Sequence, residues 1–232
     1  MVNPRCNALM RQLPESDYQL ILPHLHLVSL LAGQTIYSPG DRIEHVRLPI
    51  STQIALSRDL GDGTRIDVAL VGASGMVGMR GLFGGRCEHG VHVAVSGLAY
   101  QISVPEMLAA LHRSISLHQM CLRAYDRVIQ TVSDEMACSH FHCIKQRLAR
   151  WVLSRQDQLG SDLIEVTHQG IADALGVRRE AISNTFTRLQ GIRLGRGYIE
   201  LLDRGMLEAH ACRCYFEQQK KQPQQLLLPL HD

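Results

Sequence analysis

The sequence predicts an α+β protein of three parts: an N-terminal β-roll, a long dimerisation helix and a C-terminal winged helix-turn-helix. Three observations carry this. Residues 25–102 break into short alternating apolar runs punctuated by turn residues. Residues 114–141 carry one apolar stripe at i+3 and i+4 spacing. Residues 167–202 read as two short helices around Gly176 followed by two glycine-hinged strands. The implied boundaries are 1–113 for the roll, 114–141 for the helix, 142–217 for the winged helix and 218–232 for a flexible tail.

The chain opens with a short helix over residues 14–24, started near Glu15 or Ser16 and packed through Tyr18, Ile21 and Leu22. From Leu25 the runs LHLVSLL, QTIYSPGD, HVRLPISTQIALS, TRIDVALVG and VHVAVSGLAYQIS alternate like half-buried strands. Turn signals at Pro39-Gly40-Asp41, Gly61-Asp62-Gly63, residues 72–75 and Gly84-Gly85 fold them into a roll or double-sheet barrel with room for a small ligand.

Pro105 opens a further short helix, and Ser114 or Ser116 caps the long one, which runs to about His140. Leu117, Cys121, Ala124, Val128, Val132 and Met136 form its stripe, narrow enough for a two-stranded seam. The competing reading is a helix buried within a monomer; the charged flanks Arg123, Asp126, Arg127 and Asp134 favour the dimer. The next helix carries Ile144, Leu148, Trp151 and Val152 on one face and ends at Gly160, so the only tryptophan anchors it to the core that follows.

Thr167 caps the first helix of the pair, and Ile171, Ala172 and Leu175 are its packing face. Gly176 supplies the positive φ of a sharp turn, after which Val177 and Ile182 close the small core. The second helix, roughly 178–189, presents Arg178, Arg179, Glu180, Ser183, Asn184 and Arg188 outward. A plain helical hairpin with a solvated face is the alternative, since such patterns recur by chance. Strands at 192–194 and 198–202, turned at Gly195 and Gly197, add a wing. From Arg178 to Arg196 there are five arginines and one acid, Glu180, an imbalance that a phosphate backbone relieves. Duplex DNA is the expected partner, contacted by these residues together with Thr167, His168, Gln169, Arg193 and Arg196.

Composition agrees. Net charge is only +2, which excludes a polybasic coat protein; residues 1–139 hold 11 basic and 12 acidic side chains, and residues 140–232 hold 13 and 10. No apolar run nears the roughly 18 residues of a membrane span, and no signal-peptide core stands at the N-terminus, so no membrane partner and a cytoplasmic location are expected. Seven cysteines, an odd number, then read as reduced thiols. No nucleophile elbow, P-loop or zincin motif is present, and the expectation is a non-enzyme.

The order of parts resembles the Crp/Fnr superfamily of bacterial transcription regulators. The resemblance rests on YSPGD at 37–41, GASGMVGMRGLFGG at 72–85, QRLARWVL at 146–153, GIADALGVRREAIS at 170–183 and GRGYIELLDRGMLEA at 195–209. It is nearest to a divergent branch ending in Cys-x-Cys-Tyr, here Cys212-Arg213-Cys214-Tyr215. It implies a cyclic-nucleotide-binding-like roll, a homodimer on an inverted-repeat operator and RNA polymerase as a further partner. It also implies base reading by Arg179 and Glu180 with Ser183 and Asn184 alongside. Arginine forks onto guanine and glutamate accepts from cytosine, but Asn184 stands where well-known members have arginine, which leaves the half-site open. The segment between recognition helix and wing is also about three residues shorter than in those members.

The effector is not named by the sequence, and neither is any cofactor. Members that bind cyclic AMP use a Gly-Glu pair and an Arg-Ser/Thr pair; here Met79 or Arg80 and residues 89–91 occupy those places. A buried cyclic phosphate without its guanidinium is costly, so cyclic AMP is not expected. Gly78, Arg80, Gly81, Leu82, Arg86 and His89 remain candidates for another anion. Cys6 stands alone, unlike the N-terminal cysteine cluster of the superfamily's iron–sulfur oxygen sensors. Cys138, His142 and Cys143 are candidate metal ligands, with Cys138 and His142 one helical turn apart. Residues one or two apart on a helix diverge, so plain thiols without metal are the default there, as for Cys212 and Cys214. The second function class is a ligand-, redox- or metal-sensing module in which DNA binding is secondary.

Overall fold

The computed structural model describes residues 2–61 and 65–221, and the chain divides into two compact units, one up to Glu135 and one from Met136. No helix among the described residues is long and apolar enough to cross a membrane.

In the first unit, α1 (Ala8–Arg11) and α2 (Glu15–Ile21) precede seven strands: β1 (His26–Leu30), β2 (Thr35–Tyr37), β3 (His45–Pro49), β4 (Gln53–Asp59), β5 (Arg65–Val71), β6 (Gly90–Val95) and β7 (Gly97–Ser103). They form two antiparallel sheets, ordered β1-β7-β3 and β2-β6-β4-β5. Leu30, Tyr37, Ile54, Val71, Val91 and Val93 fill the space that the roll encloses. Its YSPGD turn is held at both ends. The Tyr37 hydroxyl accepts from His45 N–H at 3.0 Å and donates to His45 O at 3.1 Å, and Ser38 N–H donates to Asp41 Oδ2 at 2.7 Å.

α1 has no counterpart among the sequence expectations. It docks through Asn7, whose buried amide donates to Pro49 O at 2.9 Å and Gly75 O at 3.0 Å. α3 (Val104–Leu111) carries Pro105 in its first turn, and a Ser103/Glu106 capping box sets its start.

α4 (Ile115–Phe141) is the long helix, 27 residues, and it corrects the expected stripe. Leu117, Cys121 and Ala124 are buried in the first unit's own core with Leu9, Met76, Met107 and Met120, and Val128 packs half-buried beside them. The exposed apolar residues of α4 are Ile115 (78%), Leu122 (68%), Ile129 (62%) and Met136 (61%), each seven after the last, with Val132 (37%) and the terminal Phe141 (85%); of these the expected stripe held only Val132 and Met136. Two apolar faces therefore share this helix, and reading a single stripe merged them.

The second unit holds α5 (Ile144–Leu159), β8 (Leu163–Glu165), α6 (His168–Leu175), α7 (Arg179–Phe186), β9 (Ile192–Gly195), β10 (Tyr198–Leu201), α8 (Arg204–His210) and α9 (Arg213–Lys221). Its core joins Leu148, Trp151 and Val152 of α5 to Ile171, Leu175, Ile182, Phe186, Ile199, Leu207 and Tyr215. The wing sheet has three strands, β8-β10-β9, and β8 has no counterpart among the sequence expectations. At three residues it is too short to show a period. The polar run at 218–221, expected to be flexible, continues α9, where Gln219 donates to Asp157 and Lys220 pairs with Glu217 at 2.9 Å. The rest of that expected tail, 222–232, lies outside the described residues.

Candidate nucleic-acid interface

α6 starts where the Thr167 Oγ1 accepts from Gly170 N–H at 3.0 Å, and it ends at Gly176 with φ 62° and ψ 45°. Only glycine adopts that left-handed cap without strain, and Val177 N–H closes back on Ala172 O at 3.0 Å. The turn sends the chain into α7 with Ile182 and Phe186 against Ile171 and Leu175. Arg147 of α5 donates to Leu175 O, satisfying a carbonyl at the end of α6.

This packing leaves Arg178, Arg179, Glu180, Asn184 and Arg188 exposed, as the sequence predicts. α7 is shorter than the expected 178–189: Arg178 is its N-cap and Thr187 its C-cap. Ser183 and His168, both expected to touch DNA, engage each other. His168 Nδ1 lies 3.1 Å from Ser183 Oγ, and its ring stacks on Phe186 with centroids 5.3 Å apart. Ser183 Oγ also lies 3.3 Å from Arg179 O, so its hydroxyl is engaged within the protein. Gln169 remains exposed and donates to Asp173 at 2.7 Å.

The wing arginines differ. Arg193 pairs with Glu200 on the neighbouring strand at 3.2 Å, whereas Arg196, at the β9–β10 turn, has no ion pair among the described residues. Gly191 explains how the short segment into the wing is anchored. Its carbonyl accepts from Leu202 N–H at 2.8 Å and Asp203 N–H at 3.0 Å, its φ is +82°, and a Cβ there would stand 2.6 Å from Asp203 O.

Several effector candidates of the roll are engaged within the protein. Gly78 (φ +87°) and Gly81 press against the backbone of His45 and against Ile43, and Leu82 is buried in the core. Arg80 pairs with Glu88, and Arg86 donates to Gly40 O at 2.9 Å. Burial, then the charge of Arg58, lowers the pKa of His89. One cavity, between β5 and α4 and lined by Leu70, Gly72, Ala124, Arg127 and Thr131, measures about 40 Å³, the scale of a water.

Two family models match this chain: a cyclic nucleotide-binding domain over residues 27–114 and a Crp-like helix-turn-helix domain over residues 146–210. The global nitrogen regulator of Synechococcus elongatus is 31% identical over 171 residues, covering 68% of this chain and 74% of that protein. The chain belongs to the Crp/Fnr superfamily. It is a Crp/Fnr-type transcription regulator. Solved Crp/Fnr structures share the fold. One from Eubacterium rectale superposes with a TM-score of 0.74 at 19% identity, covering 89% of this chain and 98% of its own. A CRP-family regulator from Thermus thermophilus gives 0.70 at 21% identity, covering 79% and 96%. The helix-turn-helix model ends at residue 210, just before Cys212 and Cys214.

Proposed function

We propose that this Crp/Fnr regulator acts as a homodimer that reads an inverted-repeat operator on duplex DNA through α7, under an effector other than cyclic AMP. The observation that carries DNA reading is the outward face of α7: Arg178, Arg179 and Arg188 are exposed with no ion pair among the described residues, and Glu180 and Asn184 stand between them. Guanidinium, carboxylate and amide on one helix face supply the donors and acceptors that major-groove base edges recognise. Arg179 and Glu180 take the base-reading roles, Asn184 and Ser183 flank them, and Thr167, Gln169 and Arg196 meet phosphate.

The dimer is supported by the exposed heptad Ile115, Leu122, Ile129 and Met136, which in water would leave an apolar strip along the whole helix. Two-fold pairing presents two copies of α7 to half-sites about one helical turn apart. RNA polymerase is the further partner that the family implies, and the cytoplasm is where a bacterial operator is read. Selection of bound duplexes from a random pool tests the proposal. An enriched inverted repeat is the expected outcome; recovery of random sequence only would overturn it.

A further inference from the structure

Outside the DNA-reading face, four side chains that no family model assigns come together. Cys138 sits on the last turns of α4, and the His142 N–H donates to Cys138 O at 3.1 Å, which places the two one turn apart on one face. Cys212 and Cys214 bracket the start of α9. Cys138 Sγ lies 3.6 Å from Cys212 Sγ, His142 Nδ1 lies 3.7 Å from Cys214 Sγ, and all four donor atoms fall within 4.8 Å of one another.

We propose that Cys138, His142, Cys212 and Cys214 form a closed structural site for one zinc(II) ion. A tetrahedral zinc with Zn–S of about 2.3 Å and Zn–N of about 2.0–2.1 Å sets its ligands about 3.8 Å apart between two sulfurs and about 3.5 Å apart between sulfur and nitrogen. The observed 3.6 and 3.7 Å fit those edges. A space in which no two donors are more than 4.8 Å apart takes a single ion rather than an iron–sulfur cluster. Three thiolates and an imidazole suit zinc and reject magnesium or calcium.

The surroundings match. Cys138 and Cys212 are buried, which excludes water from the coordination sphere and leaves no open position for chemistry. Three thiolates on zinc leave one net negative charge. Arg150, itself buried, places a positive charge near the three sulfurs. Cys143 is exposed and is not part of the group; its backbone N–H donates instead to Gln146 Oε1 at 3.1 Å. The ion ties the end of α4 to the start of α9 inside the second unit.

The test uses the full chain, purified under reducing conditions and then offered zinc(II) or cobalt(II) alone. About one zinc per chain is expected after gel filtration, with a rise in melting temperature over the chelated protein. Cobalt(II) should give the intense visible bands and thiolate charge transfer of a tetrahedral thiolate site. Cys214→Ser and His142→Ala, both at half-buried positions, should each lose most of the metal, while Cys143→Ser keeps it. Mass analysis should find Cys138, Cys212 and Cys214 protected from alkylation until chelator is added. Zinc-free protein after loading, octahedral cobalt spectra, undiminished binding in both ligand variants, or a Cys138–Cys212 disulfide in the reduced preparation would each overturn the site.

Discussion

His168 Nδ1 and Ser183 Oγ share a hydrogen bond across 3.1 Å, so the first residue of α6 holds the middle of the recognition helix. Ser183 is thereby a positioning residue whose hydroxyl is occupied within the protein. Ser183→Ala and His168→Ala should each cost roughly 1 kcal/mol of stability, and the double variant less than their sum, because they share one bond. Ser183→Ala should weaken DNA binding without changing base preference. Thermal melts of the cycle and binding to single-base operator variants check both outcomes; altered preference at one position would make Ser183 a direct reader.

The seam of α4 gives a sharper contrast. Ile129→Glu places two carboxylates in the proposed interface at a desolvation cost of several kcal/mol, about enough to yield monomers in sedimentation. Val128→Glu should act differently. Val128 packs against the roll's own core, so the charge lowers the melting temperature by about 2–4 °C for each kcal/mol of stability removed. If Ile129→Glu left sedimentation unchanged, the exposed heptad would not be the interface.

The difference between these neighbours marks how far the sequence could be read. The helix, its length and its amphipathic character were legible, because apolar spacing reports helical faces directly. Which face meets the chain's own core was not, because Leu117, Cys121 and Ala124 are selected by Met107 and Leu9, which lie on other elements. The winged helix was legible almost residue by residue, since Thr167, Gly176 and Gly197 each signal a local conformation. The Cys138/Cys212 proximity was not, because no local pattern links residues 74 apart. The same holds for the engagement of Arg80 by Glu88 and of Ser183 by His168, which a roll of polar residues cannot show.

Tyr215 is the last member of Cys-x-Cys-Tyr and is buried; its hydroxyl donates to Asp157 Oδ2 at 2.7 Å and accepts from Arg204, which also pairs with Asp157 at 2.8 Å. Tyr215→Phe should cost roughly 1–2 kcal/mol. Burial, and then the bond to Asp157, push the phenol above its ordinary range. Its raised pKa means a contribution complete below the unfolded tyrosine value of about 10 and lost as pH rises towards the folded value. The wild-type melting curve should therefore fall on the alkaline side, and Tyr215→Phe should flatten that fall. Parallel alkaline limbs would place the loss elsewhere.

Cyclic AMP at millimolar concentration should leave the melting temperature and the DNA affinity unchanged. Arg80 is held by Glu88 and Arg86 by Gly40 O, and no other guanidinium of the candidate set is available to a cyclic phosphate. A ligand at 100 times its dissociation constant stabilises a fold by roughly 2.7 kcal/mol, an easily measured shift. Such a shift would overturn the exclusion of cyclic AMP.

The division of labour on DNA is the most direct test of the interface. Arg179 is exposed at the first turn of α7 and Arg196 at the tip of the wing, and the roles proposed for them are base reading and backbone contact. Arg179→Ala should cost about 1–3 kcal/mol on the selected operator and relax preference at one position per half-site. Arg196→Ala should weaken operator and random DNA alike and lower the salt slope by about one unit for each phosphate no longer neutralised. Arg193→Ala should do the same more weakly. Glu200 already offsets its charge at 3.2 Å, so part of its attraction to phosphate is satisfied within the wing. Titrations of the three variants on both DNAs at three salt concentrations separate these effects. Equal losses on both DNAs for Arg179→Ala, with base preference intact, would remove α7 as the reading element and leave backbone attraction as the whole of the binding.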